Sequence, residues 1–494
     1  METELKFALA PEARARIEQH ARGARDMAAF TDHTTYYDTE GQALRKSGFS
    51  LRVRHRLEND SYIQTVKAAG NGNFRRQEWE WPINSSSPDL DRLGEVEPLP
   101  LSSTTGPLQP IFRTEVKRTQ LTLAPADGSR LELALDGGAV IARNKSEPLS
   151  EMEIELKDGS EETLLGVALD LLRKEPLALL NESKAERGYH LMDGSRPGAH
   201  KAEAILLDDN SALGDAFRQL ADALMQQLLV NQPAVLRGDA REGIHQMRIG
   251  LRRLRSLLAL FEQYLEPHSA VHFDHALRRL GQVLGEARDW DVFLTETLPC
   301  VDDHATGVDW IGPLRALARE RQHAAHQAAK KAVLEPAFTR FVLAFQAWSH
   351  DRETAVAHDR ATLPLEQAAP DMLDRLARKV DRRRAKSDPH DPASLHRLRK
   401  SLKKLRYGIE YLQGLYGEKS KRYLKRCNAL QKQLGRLNDL ENLTRLSDQL
   451  ANDNRLDLVP ALGMLGNRSA ALAAPDLKDL DGVAAKFDER PPFW

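Results

Sequence analysis

Cysteine is almost missing from this chain: Cys300 and Cys427 are the only two among 494 residues. That excludes a disulfide framework and fits a reducing compartment. Long apolar runs are missing too. None approaches the roughly 20 residues that a membrane-spanning helix needs, so no membrane partner is expected. The first residues are acidic and carry no apolar secretion segment, and a cytoplasmic location is the expectation. Net charge is nearly absent, −1 from 71 basic and 72 acidic residues. The overall balance therefore selects no partner, and the local layout of charge must do so. Aromatics are scarce at 6%, which leaves few side chains to recognise a nucleobase, and no base-reading motif points to nucleic acid.

What is present is charge arranged in strands. Residues 2–6 read Glu-Thr-Glu-Leu-Lys. Side chains alternate between the faces of a strand, so Glu2, Glu4 and Lys6 share one face and Thr3, Leu5 and Phe7 the other. A second acidic strand carries Glu151, Glu153 and Glu155, all of one parity, and a basic one carries Arg52, Arg54 and Arg56. Further strands are expected over 2–8, 50–56, 61–68, 76–83, 111–117, 119–124, 130–136 and 149–157. Turn signals stand at Asn71-Gly72-Asn73, Asp127-Gly128 and Asp158-Gly159. Helices are expected over 11–21 and 161–174, and a long loop with one short helix over 85–110.

A sheet with one wet face explains alternating charge without any site. Segregation of sign by strand argues against that explanation here. So do the further bases Lys67, Arg76, Arg113, Arg118, Lys184 and Arg187, and a thorough apolar face that includes Leu51, Val53, Trp79, Trp81, Met152 and Ile154. A sheet that closes its charged face inward forms a polar tunnel, and a barrel of about eight strands has a narrow interior suited to a thin anion. Arginine and lysine would surround a phosphate chain. The carboxylates would repel it unless a hard divalent cation intervened, so they read as oxygen ligands for Mg²⁺ or Mn²⁺.

After a break at Asp193–Ala199, the chain from about residue 205 has helical period throughout. It contains a repeat. His245-Gln-Met-Arg248-Ile-Gly-Leu-Arg252-Arg253-Leu-Arg255 aligns without a gap with His396-Arg-Leu-Arg399-Lys-Ser-Leu-Lys403-Lys404-Leu-Arg406. Downstream, Leu284-Gly285 to Asp291 matches Leu434-Gly435 to Glu441. At ~100° per residue, His245, Arg248, Arg252 and Arg255 fall within an arc of ~80°. His396, Arg399, Lys403 and Arg406 form the equivalent stripe. An ordinary solvated face mixes both signs at i, i+4 spacing. Two duplicated stripes of one sign indicate a polyanion site, with Asp289, Asp291, Asp439 and Glu441 as candidate orienting partners.

These residues resemble known families. Glu2-x-Glu4-x-Lys6 resembles the signature of CYTH domains, the triphosphate tunnel metalloenzymes. So, in order, do Tyr36-Tyr37-Asp38-Thr39, Leu51–Arg54, Thr65-Val66-Lys67, Glu151–Leu156 and Ser183–Tyr189. The helical half resembles CHAD domains, which are associated with inorganic polyphosphate. The resemblance implies a multidomain α+β chain: an eight-stranded antiparallel tunnel flanked by helices over 1–192, a linker over 193–204, and an all-α bundle of two repeats over 205–494. It implies metal-dependent hydrolysis of inorganic tripolyphosphate to pyrophosphate and phosphate. Glu2, Glu4, Lys6, Glu153 and Glu155 would be catalytic, and Glu2, Glu4, Glu151, Glu153 and Glu155 would supply the metal ligands. Lys6, Arg52, Arg54, Lys67, Arg113, Lys184 and Arg187 would hold substrate, with Glu78 and Glu80 in the tunnel wall. His245, Arg248, Arg252, Arg255, His396, Arg399, Lys403 and Arg406 would bind polyphosphate, and association with polyphosphate granules would follow. Two alternatives stand beside this: a polyphosphate-binding protein without turnover, and a class IV-type adenylate cyclase.

Overall fold

The computed structural model describes residues 1–21, 27–68, 74–97, 99, 106–208, 210–301, 311–351, 355–357, 359–451, 459–489 and 492–494. The turn expected at Asn71–Asn73 lies outside these. The chain packs as two compact units. The first contains Met1–Gly198, Gln232–Asp239 and Val333–Ala347, and the second contains Ala199–Asn231, Ala240–Ala332 and Trp348–Trp494.

The first unit is a nearly closed antiparallel barrel. Its strands are β1 (Glu2–Ala8), β2 (Ala28–Thr39), β3 (Phe49–Arg56), β4 (Ser61–Ala68), β5 (Arg75–Arg76), β6 (Glu78–Ile83), β7 (Leu108–Leu123), β8 (Arg130–Ala142), β9 (Lys145–Asp158) and β10 (Ala178–Leu179). Their order is β10-β1-β9-β8-β7-β2-β3-β4-β6, with β5 pairing β1 from the far edge. Eight of the ten strands among the described residues have six or more residues. That matches the expected number through two offsetting differences. The segments 111–117 and 119–124 form one strand, β7, and β2 is a long strand where none was expected. β2 lacks apolar alternation because its inward residues Asp32, Thr34 and Asp38 are polar and buried.

The apolar faces point outward under helices. Leu5, Phe7, Leu133, Met152 and Ile154 are buried on the side flanked by the Pro11–Ala21 and Glu161–Lys174 helices, which bury Ala13, Ile17, Leu164, Ala168 and Leu172. Leu44, Leu51, Val66 and Leu93 form a second outer core with Trp79 and Trp81 packed on it. The interior is not charged throughout. Tyr36, Phe112, Val116, Val140, Leu149 and Tyr189 fill one end as an apolar plug.

Tyr189 belongs to the Lys184–Asp193 helix. A capping box between Ser183 and Glu186 opens this helix, and Gly194 at φ 75° ends it. A Cβ on Gly188 would lie 2.0 Å from Phe112 Cε2, so glycine is what lets the helix seat against the plug. The Tyr189 hydroxyl donates to buried Asp38 at 2.7 Å. Asp38 also accepts from the Leu44 and Arg45 amides at the start of the short Ala43–Lys46 helix. The Tyr36–Thr39 motif is therefore structural in its local contacts.

In the second unit the described residues form helices, with no strand longer than an isolated bridge among them. The two repeats lie on the Ala240–Phe261 and Pro392–Tyr411 helices. Their downstream partners lie on Pro267–Val292 and Glu418–Ala451. Each repeat helix buries one stripe, with Met247, Leu251, Leu254 and Leu258 in the first and Leu398, Leu402, Leu405 and Ile409 in the second.

Candidate functional site

Strand register explains how the tunnel wall is built. Glu4 stands opposite Glu155 and Lys6 opposite Glu153 across β1 and β9. Arg52 faces Thr65, whose other neighbour is Glu80, and Lys67 faces Glu78. Arg118 faces Asp136, which in turn faces Glu151. All these positions share the inward parity, so acids and bases line one interior wall.

Among the described residues, two trios of carboxylates each gather within 4.8 Å: Glu2 with Glu78 and Glu155, and Asp136 with Glu151 and Glu153. They differ in how they are neutralised. The second trio is filled by protein cations. Lys184 Nζ lies 2.8 Å from Asp136, donates to Glu153 at 2.7 Å and pairs with Glu151. Arg118 donates in parallel to both oxygens of Asp136 at 2.7 Å and to Glu153 at 2.6 Å. Burial would push the Glu153 carboxyl up, but Lys184, Arg118 and Lys6 hold it well below the ordinary carboxylate range. This trio is paired with protein cations, although both buried Glu151 oxygens lack a hydrogen-bond partner among the described residues.

The first trio is under-compensated. Lys67 donates to Glu2 at 2.8 and 2.6 Å and lies 3.1 Å from Glu78. Glu155 pairs with Lys157 at 2.6 Å. Even so, burial, with help from Glu2 and Glu4, pushes the Glu155 carboxyl up to about 7. Glu4 is also raised, by burial first and then by Glu153. Crowded oxygen donors that resist ionisation fit a hard divalent cation. Glu2, Glu78 and Glu155, with Glu4 beside them, are thus a group that can hold one.

Next to them are cations without tight partners. Arg52 Nη2 lies 3.6 Å from Glu78 and 3.9 Å from Glu80, and Arg54 Nη2 lies 3.7 Å from Glu80. These distances exceed hydrogen-bond range. Among the described residues, the buried Nε atoms of Arg52 and Arg54 have no hydrogen-bond partner. Lys6 sits 3.5 Å from both Glu4 and Glu153. Its burial favours the neutral amine, and the surrounding Glu151, Glu4 and Glu153 outweigh this, raising its pKa.

Of the residues expected from sequence, Glu2, Glu4, Lys6, Arg52, Arg54, Lys67, Glu153 and Glu155 share the inward face. Glu151 sits with Lys184, on the opposite trio from Glu2. Arg187 is largely buried, donates to Glu147 at 3.0 and 2.7 Å and lies 3.8 Å from Glu151. Arg113 is a correction: it lies on the outer face, with a side chain 55% exposed and bonded to Glu115. Its neighbours Phe112 and Thr114 point in, so the alternation of β7 sends Arg113 out and brings Arg118 in. Asp136 and Asp32, the latter bonded to Arg56 at 3.0 and 3.1 Å, were not singled out in the sequence. A place opposite a basic strand residue was their one available signal.

In the second unit, Arg248, Arg252, Arg399 and Lys403 converge, each within electrostatic reach of the others. Asp289 lies 3.8 Å from Arg248 and accepts from Arg445 at 2.7 Å. Burial first, then Arg399, Arg252 and Arg248, lower Lys403 to about 6, against Asp439. His396 bonds Asn438 at 2.7 Å. His245 is pushed down by burial and then by Arg288. The ends of the stripes are drawn elsewhere: Arg255 to Asp274 at 2.8 Å, and Arg406 to Glu410 at 2.6 Å and over the Tyr407 ring. Asp291 leaves the basic set altogether and bonds His326 and Gln322 at 2.8 and 2.7 Å.

Comparison with known proteins finds one family for the N-terminal sequence and another for the helical sequence. Residues 1–189 match the CYTH domain and residues 219–446 the CHAD domain. An inorganic triphosphatase of Haemophilus influenzae is 33% identical over 205 residues, 38% of this chain and 54% of that protein. The chain thus spans about half the length of that relative. An uncharacterised protein of Mycobacterium tuberculosis is 26% identical over 412 residues, 75% of this chain and 74% of its own. The crystal structure of the CHAD domain from the plant Ricinus communis is 31% identical, with a TM-score of 0.52, covering 60% of this chain and 98% of that one. By matched sequence, barrel and helical repeats together, the chain is a member of the CYTH and CHAD families, with a CYTH domain at its N-terminus and a CHAD domain after it.

Proposed function

We propose that the tunnel hydrolyses inorganic tripolyphosphate to pyrophosphate and phosphate with a bound divalent metal, Mg²⁺ or Mn²⁺, and that the helical repeats bind inorganic polyphosphate. One observation carries the reading. The trio Glu2, Glu78 and Glu155 stands beside Arg52 and Arg54, whose buried Nε donors are unmet. Phosphate oxygens would complete those guanidinium groups, because arginine bonds them in parallel pairs. A divalent cation at the trio would offset charge developing on the phosphates. Lys67 and Lys6 add cations along the same wall, and Glu153 holds Lys184, Arg118 and Lys6 in place. The relative named an inorganic triphosphatase supports the choice of substrate.

In the helical half, the cluster of Arg248, Arg252, Arg399 and Lys403 supports polyanion binding, and Arg399 too has a buried unmet Nε. We take the modules to run over 1–192 and 205–494, with 193–204 between them.

The test is phosphate release by the purified full chain with Mg²⁺, given tripolyphosphate, ATP, pyrophosphate and long polyphosphate in parallel. Release selective for tripolyphosphate, lost in a Glu2→Ala/Glu4→Ala variant, is the expected result. Cyclic AMP formed from ATP would make the tunnel a cyclase. Polyphosphate bound with no release from any substrate would make the chain a binding protein.

A further inference from the structure

Two stretches of the helical sequence pack with the tunnel unit instead of with the repeats: Gln232–Asp239 and Val333–Ala347. Both deliver side chains to one edge of the barrel. β10 is a two-residue strand at the edge of the sheet, paired with β1. An edge strand has backbone groups that need partners. At Leu179 side chains supply them. The Leu179 amide donates to Thr339 Oγ1 at 2.8 Å, and the Leu179 carbonyl accepts from Gln232 Nε2 at 2.9 Å. Gln232 Nε2 also donates to the Val333 carbonyl at 3.2 Å, tying the two stretches together. Gln232 and Thr339 are fully buried. On the barrel side, the Leu180 amide donates to the Lys6 carbonyl at 2.8 Å. The backbone of Lys6 is thus held through β10 by side chains more than 200 residues away.

A second route runs through charge. Arg237 donates to both oxygens of Glu147, at 2.9 and 3.0 Å, and lies 3.1 Å from Glu182. Glu147 also accepts from Arg187, which lies 3.8 Å from Glu151. Without Arg237, Glu147 and Glu182 would both turn on Arg187, in a region that is partly buried.

We propose that Gln232, Thr339 and Arg237 are positioning residues of the tunnel: they fix the edge strand β10 against β1, which carries Lys6, and the ion pairs that aim Arg187. The tunnel is then completed by the helical sequence and is not an independent module. This rests on the reading that the tunnel takes tripolyphosphate, and the test separates the two ideas.

The full chain would be compared with Gln232→Leu/Thr339→Val, Arg237→Met and Arg237→Lys. Three quantities would be read: hydrogen exchange at the Leu179 and Leu180 amides, KM and kcat for tripolyphosphate, and the folded fraction. The double variant should exchange at least about tenfold faster at both amides. Both it and Arg237→Met should raise KM by about three- to tenfold with kcat within about twofold, and Arg237→Lys should recover part of the loss. KM within about twofold of wild type in both variants would overturn the proposal. So would a loss of activity that follows the folded fraction at constant KM. If the wild-type chain releases no phosphate, it is the tripolyphosphate reading that fails. Exchange then decides alone: wild-type rates in the double variant overturn the proposal, and faster rates at Leu180 uphold it.

Discussion

At the scale of single residues, Lys403 and Lys184 show what burial does to a cation with and without acids. Lys184 has three carboxylates around its ammonium, and they raise its pKa well above the ordinary value despite burial. Lys184→Met would leave Asp136, Glu151 and Glu153 with Arg118, Lys6 and the more distant Arg187. A loss of about 3–5 kcal/mol is expected for an uncompensated buried charge, visible as a lower denaturant midpoint. Lys403 is the opposite case. Burial and three arginines lower it to about 6, whereas in the unfolded chain a lysine titrates near ~10.4. Between those values the unfolded chain holds a proton that the folded chain does not. The contribution of Lys403 to stability therefore rises with pH across that window and is lost as pH falls toward 6. A bound polyanion reverses the balance by supplying the missing negative charge. Polyphosphate should then bind more tightly at pH 6 than at pH 8 and take up close to one proton at pH 7.5. Calorimetry in two buffers of different ionisation enthalpy measures that uptake, and Lys403→Met should abolish it.

At the scale of elements, register decides which charges count. Arg113 and Arg118 are both basic residues of β7, and only alternation separates them. Arg118→Met should cost at least about tenfold in kcat/KM for tripolyphosphate, because it unties Asp136 and Glu153 from the inner wall. Arg113→Met should stay within about twofold, since its partner Glu115 is on the outer face. Equal losses from both would mean that the register is wrong. The sequence made the sign-segregated strands legible because their outward residues are strongly apolar: Leu51 and Val53 on β3, Met152 and Ile154 on β9. β2 was not legible for the converse reason. Its inward residues are polar or aromatic, Asp32, Thr34, Tyr36 and Asp38, and its outward ones include His33 and Thr35. It is a strand only because β3 and β7 pair with it on either side. The Lys184–Asp193 helix was likewise invisible as a plug, though Gly188 marks it. Gly188→Ala should destabilise the fold by about 1–3 kcal/mol through its clash with Phe112, read by thermal melting.

For the whole molecule, the helical repeat was the most legible feature, because duplication writes the same histidine-led basic stripe twice, at His245 and His396, before any packing is known. What the sequence could not supply was the convergence of Arg248 and Arg252 with Arg399 and Lys403, and the diversion of Arg255 and Arg406 to Asp274 and Glu410. Those depend on which helices face each other. The chain packs as two units, and the two proposed anion sites lie one in each. They should therefore be separable. Neutralising Arg248, Arg252, Arg399 and Lys403 together should remove binding of long polyphosphate while kcat and KM for tripolyphosphate stay within about twofold of wild type. Binding by the unaltered chain should also weaken by more than about tenfold between 50 and 200 mM salt, since a site built of several cations exchanges counterions on occupation. The chain with the four residues neutralised should show neither the binding nor the salt slope. If tripolyphosphate turnover fell together with polyphosphate binding in a fully folded variant, the helical cluster would be part of the hydrolytic site. The carboxylate trio at Glu2, Glu78 and Glu155 would then not be sufficient for turnover.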